Sequence, residues 1–304
     1  MRSDAFIRDV LERCDALKTA GFWPPEPKIR PRAWLDNFDD NDRHLAALLL
    51  ENFHFYSDTL TDFLLKAAFD NLGDGLPKGP CAPNRDEILS NLPSAVFTPI
   101  EGESPSPTDS GNLFCRKARQ ILLLAEERIV TPAQALVHAS NGGAVVFLDD
   151  FIGSGDQFLK TWKRPHPSAG NISFESIHRL KTYTAVYVSL VATKYGLSRI
   201  FKYSPTVAVS AAHIIDEDST IRRLQTTRPG VGDELQSRLE QFLRKVSLRL
   251  RPREEYIARN PEFLAFGYHN RGLLLAFAHS VPDATLPVFW SPGDAIWTPL
   301  IQRA

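Results

Sequence analysis

Two adjacent carboxylates, Asp149 and Asp150, directly follow an apolar run at residues 144–148. Such a continuous run is typical of a strand that is buried on both faces of a parallel sheet. Side chains alternate across a strand, so the two acids diverge and can bind different groups of one ligand. Ligands of open α/β sheets bind at the carboxyl ends of the strands. We therefore expect Asp149 and Asp150 to bind a ligand.

A turn of small residues follows the two acids. It comprises Gly153, Ser154 and Gly155, and a helical pattern then begins at Asp156 and Gln157. Glycine permits positive φ and close backbone approach, so successive N–H groups can point at a phosphate. The N-terminus of the following helix adds partial positive charge. We predict that residues 153–157 bind a phosphate, and that the acids before them bind a diol, as a ribose 5-phosphate site requires.

Asp156 is the unusual residue of this turn, because a carboxylate in a phosphate-binding loop would repel the phosphate. We interpret Asp156 as facing away from the loop, where its side chain caps the following helix.

Other classes of protein also place acids at the end of a strand. Receiver domains need a lone phospho-accepting Asp on another strand, and haloacid-dehalogenase-like phosphatases need Asp-x-Asp; the sequence offers neither. Another Mg²⁺ or phosphate site and a purely structural pair stay open as readings of Asp149 and Asp150. The sequence also lacks GxxxxGK[ST], HExxH and GxSxG, which excludes P-loop NTPases, zincins and common serine hydrolases.

The segment 145–158, VVFLDDFIGSGDQF, resembles the phosphoribosyl pyrophosphate (PRPP) motif of type I phosphoribosyltransferases. In that family the acidic pair holds the ribose 2′ and 3′ hydroxyls, and the amides of the turn hold the 5-phosphate. The resemblance implies the first role for Asp149 and Asp150 and the second for residues 153–157. Ser154 stands where the family usually has Thr.

The variant DDFIGSGDQ is most similar to a divergent, phosphoribosyltransferase-like branch that is predicted to act as effectors in bacterial conflict and phage defence. The segment 34–38 with Asp42 resembles the N-terminal extension of that branch, and residues 273–290 resemble its C-terminal signature. The resemblance implies a phosphoribosyl ligand and partner proteins of a defence system.

Type I enzymes also have a pyrophosphate loop, which follows an earlier strand of the sheet. The β-type run at residues 95–98 and the loop at 109–112 occur in the right order. Ser110 and Gly111 would hold the diphosphate, helped by Arg116 or Lys117 one turn into the next helix. A capped helix with solvated basic residues is the equally weighted alternative.

The elements that position these residues are predicted from hydrophobic periodicity. Helical patterns cover residues 4–20, 42–72, 113–127 and about 233–248, and β-type runs cover residues 95–98, 144–148, 184–193, 206–215, 273–278 and 286–290. Strands that alternate with helices indicate an α/β fold with a mainly parallel sheet. We divide the chain into an N-terminal helical extension (1–84), a phosphoribosyltransferase-like core (85–215) and a C-terminal α+β segment (216–304) packed on the core.

Composition narrows the setting of this chain. With 304 residues, 35 Lys+Arg and 36 Asp+Glu, the net charge is −1, which gives no general attraction to nucleic acid or membranes. The basic stretch at 219–259 nevertheless leaves nucleic acid open as an acceptor. Three dispersed cysteines and the lack of an apolar span indicate a cytoplasmic protein.

The expected reaction is a Mg²⁺-assisted transfer of phosphoribosyl from PRPP to a nitrogen nucleophile, with Mg²⁺ bound to the substrate. The sequence does not identify the acceptor. A binding module that senses PRPP or a nucleotide without transferring it is the competing hypothesis, so catalytic activity stays open.

Overall fold

A computed structural model describes most of the chain. It covers residues 2–72, 81–102, 106, 108–180, 183–216, 220–221, 224, 232–252 and 262–303. Residues 103–105 and 107, which precede the predicted loop at 109–112, and parts of the basic stretch at 219–259 therefore lie outside the described residues.

The helices are short to medium in length. In chain order they are α1 (Arg2–Thr19), α2 (Pro31–Leu35), α3 (Asp40–Glu51), α4 (Asp58–Asp70), α5 (Arg85–Asn91), α6 (Ser110–Ile121), α7 (Pro132–Ser140), α8 (Asp156–Lys163), α9 (Phe174–Leu180), α10 (Lys194–Tyr203), α11 (Gly232–Ser247), α12 (Phe263–Phe266) and α13 (Pro287–Trp290). In the part of the chain that the structure describes, no helix combines the length and apolarity needed to cross a bilayer.

The strands form two parallel sheets. They are β1 (His54–Tyr56), β2 (Val96–Pro99), β3 (Val145–Ile152), β4 (Ala185–Thr193), β5 (Ala208–Ile215) and β6 (Leu275–Phe277). The larger sheet has the order β2-β3-β4-β5, and each neighbouring pair is parallel. The smaller sheet pairs β1 with β6, also in parallel. This confirms the predicted α/β fold with a mainly parallel sheet.

The chain divides into two compact units, one formed by residues 59–215 and the other by 1–58 together with 216–304. The sequence analysis instead treats the terminal segments as separate additions. They share one hydrophobic core in the second unit: the Trp34 ring lies 5.3 Å from that of Phe289, and its Nε1 donates to the Val288 carbonyl at 2.8 Å. Apolar side chains far apart in sequence thus bury one another.

One β-type prediction is wrong. Residues 286–290 were expected to form a strand, but Pro287–Trp290 form the short helix α13. Pro287 occupies the first helical turn, where its fixed φ is favourable and its missing N–H has no intrahelical acceptor to lose.

Stacked aromatic rings hold α8 against the large sheet. Phe158 of α8 stacks on Tyr187 of β4 with centroids 4.6 Å apart, and it meets Phe147 of β3 edge to face at 5.7 Å. Trp162, one turn further along α8, stacks on Phe158 at 5.8 Å. These rings share the apolar face of α8, so they fix the helix, and with it the turn that precedes it, over the carboxyl end of β3.

Candidate functional site

The two predicted ligand-binding acids lie inside β3 and are buried. The strand continues beyond them to Ile152, because Phe151 and Ile152 still pair with Val191 and Ala192 of β4. Asp149 is 1% exposed and Asp150 is 6% exposed. Their side chains lie close enough to interact with each other.

Hydroxyl groups bind both carboxylate oxygens of Asp149. Ser110 at the start of α6 donates to Oδ1 at 3.0 Å, and Tyr187 of β4 donates to Oδ2 at 3.2 Å. The backbone N–H of Asp150 also donates to Oδ1 at 2.9 Å. The structure therefore brings Ser110, which is predicted to bind diphosphate, into direct contact with Asp149, which is predicted to bind ribose.

Burial dominates the protonation of this cluster. It raises the pKa of Asp149 well above the ordinary value of 3.8, and the charge of Asp150 and a side-chain hydrogen bond with it raise the pKa further. Burial and the neighbouring Asp149 likewise raise the pKa of Tyr187 well above its usual value of 10.0. The local environment thus favours a pair of carboxyl groups that retains a proton.

The predicted phosphate turn connects β3 to α8 directly. Gly155 is the residue before the helix and has a φ of +76°, a left-handed conformation that glycine adopts without strain. Its lack of a side chain lets the turn pack against α10, where a Cβ would lie 3.0 Å from the Gly196 carbonyl oxygen. Ser154 accepts the Asp156 N–H at 3.2 Å, and Gln157 lies half-buried in the first turn of α8.

The electrostatic conflict at Asp156 is resolved by Arg199 of α10. Arg199 Nη2 lies 2.6 Å from Asp156 Oδ1, and its Nη1 donates to the Ser154 carbonyl at 2.9 Å. The hydrogen bond that Arg199 donates to Asp156 raises the pKa of Arg199, which keeps the guanidinium charged. Asp156 also accepts the Ser154 hydroxyl at 2.9 Å. The charge of Asp156 is therefore neutralised by Arg199. The expected helix cap is wrong, because Asp156 is the first residue of α8, and the residue before it, Gly155, has no side chain to cap the helix.

The residues at the start of α10 contact the phosphate turn and hold it in place. Thr193 caps α10 by accepting the Gly196 N–H at 2.9 Å, and it donates its hydroxyl to the Gly153 carbonyl. A Cβ on Gly196 would lie 2.5 Å from the Gly153 carbonyl oxygen, so only glycine allows this approach. The sequence analysis missed Thr193, Gly196, Arg199 and Tyr187; the run Thr-x-x-Gly after a predicted strand was the available signal for the first two.

The predicted diphosphate loop is closed by a carboxylate. Asp109 accepts the N–H groups of Gly102 at 2.9 Å and of Ser106 at 3.0 Å. Gly111 packs against the end of β2, where a Cβ would lie 2.6 Å from the Ile100 carbonyl oxygen.

The basic residues after this loop do not join the acids. Lys117 donates to Asp62 of α4 at 2.6 Å and to the Thr61 hydroxyl at 3.2 Å, and Arg116 is exposed. Lys117 thus forms an ion pair within the unit, and its role in binding diphosphate stays a prediction.

The donor set fits a metal ion only in part. Asp149 and Asp150 offer the carboxylate oxygens that Mg²⁺ prefers. Nowhere in the described ranges do three or more His, Cys, Asp or Glu side chains converge on a common metal position. Mg²⁺ commonly keeps several waters and binds through one or two carboxylates and substrate phosphates, and these residues suit that mode.

A parallel sheet, a buried acidic pair and a glycine turn leading into a helix define a phosphoribosyltransferase-like protein. Residues 31–303 match the family model described as PRTase-CE. The chain belongs to the PRTase-CE family. This confirms the resemblance to the phosphoribosyltransferase-like superfamily, while the resemblance to the conflict-effector branch stays a prediction.

Solved structures that match part of the chain include an orotate phosphoribosyltransferase from Aeropyrum pernix. It is 12% identical, covers 52% of this chain and 72% of its own, and has a TM-score of 0.30. The AQ2163 protein from Aquifex aeolicus is 14% identical, covers 60% of this chain and 82% of its own, and has a TM-score of 0.29. No curated protein matches the sequence.

The phosphate turn yields a test of its packing. Gly155→Ala should lower the free energy of unfolding by more than about 2 kcal/mol, because the left-handed conformation costs an L residue roughly 1–2 kcal/mol and the methyl group meets neighbours as well. The added Cβ would lie 3.0 Å from the Gly196 carbonyl oxygen and 3.1 Å from Ile200 Cγ1. Urea denaturation followed by tryptophan fluorescence measures the loss.

Gly170→Ala is the matched control for this variant. Gly170 has a φ of +80°, and an added Cβ would meet nothing within 4 Å. We expect a loss of about 1 kcal/mol there, from backbone strain alone. Equal losses in the two variants would contradict the close packing of Gly155 on α10.

The raised pKa of Asp149 predicts a pH-dependent stability. The folded state holds this proton more tightly than the unfolded state, so the stabilisation is complete below the ordinary value of 3.8 and is lost as pH rises toward the folded pKa. Relative to Asp149→Asn, the wild type should lose up to about 1.4 kcal/mol per pH unit in that window. Urea denaturation across pH measures both proteins, with the exposed Asp86→Asn as control. Parallel curves for wild type and Asp149→Asn would rule this out.

Proposed function

We propose that the chain binds PRPP or a related ribose 5-phosphate ligand at the carboxyl end of β3, and transfers phosphoribosyl to a nitrogen nucleophile. The observation that carries this proposal is the order in which buried acids, a glycine turn and a helix N-terminus follow one another along one strand-turn-helix segment. The buried acids Asp149 and Asp150 precede a turn whose last residue, Gly155, adopts a left-handed conformation at the start of α8.

The chemistry of Asp149 suits a ribose diol. Its two oxygens already accept hydroxyl groups, from Ser110 and Tyr187. Ribose hydroxyls are the same kind of donor, so they can exchange with Ser110 or bind Asp150 without leaving a buried carboxylate unsatisfied. In this proposal the two acids orient the sugar ring.

The 5-phosphate would lie on the backbone of residues 153–157. The amide groups of the turn and the positive end of the α8 dipole favour a dianion there. Arg199 supports this arrangement, because its ion pair with Asp156 at 2.6 Å offsets the one negative side chain of the turn.

The diphosphate of PRPP would lie near Ser110 and the N–H of Gly111, at the start of α6. Mg²⁺ bound to the diphosphate oxygens would supply positive charge that neutralises the leaving group. The Ser110 hydroxyl lies 3.0 Å from Asp149 Oδ1, and this contact supports neighbouring positions for the diphosphate and the ribose, as the bond between C1 and the diphosphate requires.

In the proposed reaction, the bond from C1 to diphosphate oxygen breaks and its electron pair leaves with the diphosphate. The lone pair of the nucleophile forms the new C1–N bond, and the nitrogen loses its proton to solvent. The sugar carries positive charge in the transition state, and the negative charge of the Asp149–Asp150 pair favours that state electrostatically. The protein contributes mainly by fixing ribose, phosphate and diphosphate.

Asp149→Asn combined with Asp150→Asn should weaken PRPP binding by at least about tenfold, because charge-assisted hydrogen bonds to the diol are lost. Isothermal titration with PRPP and Mg²⁺ measures the affinity. Asp86→Asn with Glu87→Gln, an exposed acidic pair on α5, is the matched control and should bind as the wild type does. Unchanged affinity in the Asp149 and Asp150 variant would refute the proposal.

A measurement of pyrophosphate release distinguishes transfer of phosphoribosyl from binding of PRPP alone. Wild-type protein incubated with PRPP, Mg²⁺ and a panel of bases and nucleosides should release pyrophosphate with at least one acceptor. Binding of PRPP with no release across the panel would instead favour a sensing module and would overturn the enzymatic part of the proposal.

We extend the proposal to an effector role in conflict with phage, in the cytoplasm and with partner proteins of a defence system. The resemblance of DDFIGSGDQ to the conflict-effector branch supports this role. Cells that carry the chain with its neighbouring genes should resist phage infection, as measured by plaque counts. Cells with the Asp149→Asn, Asp150→Asn variant should lose that resistance. Equal resistance with both alleles would contradict an effector role for this site.

A further inference from the structure

A cavity of about 540 Å³ lies beside α8 and α10 in the unit formed by residues 59–215. Cationic side chains and one aromatic ring dominate its lining: Lys160, Lys163, Arg164, Arg199 and Tyr203. Neither Asp149 nor Ser110 belongs to that lining. The cavity is therefore distinct from the proposed ribose site, although Asp156 of the phosphate turn borders it.

The balance of charge in this cavity is positive. Asp156 pairs with Arg199 at 2.6 Å, and Glu101 pairs with Arg164 at 2.8 Å. Lys160 and Lys163 are exposed and stand three residues apart on α8, so they lie on the same face of the helix. Lys202 of α10 adds a further exposed cation at the edge. An anion that enters the cavity thus meets more cations than carboxylates.

Tyr203 supplies a ring for a planar group. It is 48% exposed at the end of α10. The Lys163 Nζ lies 5.8 Å from the ring centroid, and the Lys202 Nζ lies 5.1 Å from it. An exposed tyrosine with ammonium groups close by can stack a base while the cations bind the phosphates attached to it.

We propose that this cavity binds a free nucleoside diphosphate or triphosphate, with the base on Tyr203 and the phosphates on Lys160 and Lys163. The volume is in the range of small-ligand pockets, roughly 300–1,000 Å³. A free nucleotide is favoured over a nucleic-acid strand because the cations gather around one ring. A strand-binding surface instead has a basic groove with successive aromatic platforms.

Titration with ADP tests the site. Lys160→Ala with Lys163→Ala should weaken ADP binding by at least about tenfold, because two charged phosphate contacts are lost. Tyr203→Ala should also weaken binding, whereas Tyr203→Phe keeps the ring and should bind as the wild type does. Isothermal titration measures the affinity, and circular dichroism checks that each variant is folded.

The control removes two cations elsewhere in the same unit. Lys66 and Arg179 are exposed and lie outside the cavity, so Lys66→Ala with Arg179→Ala should keep ADP affinity. Equal losses in the two double variants would indicate a general charge effect and would overturn the proposal.

Asp149→Asn with Asp150→Asn separates this site from the proposed function. This variant should lose PRPP binding but keep ADP binding, and failure of PRPP binding in the wild type would leave the ADP result unaffected. Three results would overturn the nucleotide site. They are absence of ADP binding to the wild type, loss of ADP binding in the aspartate variant alone, and tighter lysine-dependent binding of short single-stranded DNA than of ADP.

Discussion

Burial of two neighbouring carboxyl groups in a parallel strand is the constraint on which the site depends. A carboxylate that is buried away from water without hydrogen-bond or charge partners is strongly destabilised. Asp149 meets this cost with hydroxyl donors from two other elements, Ser110 of α6 and Tyr187 of β4, and with a raised pKa that favours a retained proton. The same contacts fix the start of α6 beside β3. Asp149 therefore holds α6 and β4 in position in addition to its proposed role in ligand binding.

Close backbone approach is the second requirement of this end of the sheet. Gly196 lets the start of α10 contact the Gly153 carbonyl, and Gly111 lets α6 contact Ile100 at the end of β2. Each contact brings the start of a helix to the edge where strands end. A side chain at Gly196 would push α10 away from the turn, and a side chain at Gly111 would push α6 away from the end of β2.

Sequence reasoning succeeded where the signal was local. The strand, the acids, the turn and α8 occupy one continuous segment, and hydrophobic pattern and glycine placement predict each in turn. Tyr187 and Arg199 were missed because their partners, Asp149 and Asp156, are 38 and 43 residues away, and a strand tyrosine or a helical arginine has no pattern that specifies a distant partner. The shared core of the terminal segments was missed for the same reason.

Arg199 explains why an acid is tolerated in the phosphate turn. A carboxylate at position 156 would repel a dianion on the same loop, yet its pairing with Arg199 makes the two side chains nearly neutral together. Arg199 also donates to the Ser154 carbonyl, so its guanidinium binds both the side chain of Asp156 and the backbone of the turn. The ion pair is only partly buried, with side chains 26% and 22% exposed, so water screens the attraction. Its importance therefore lies in the orientation of Asp156 and Ser154 rather than in a large gain of stability.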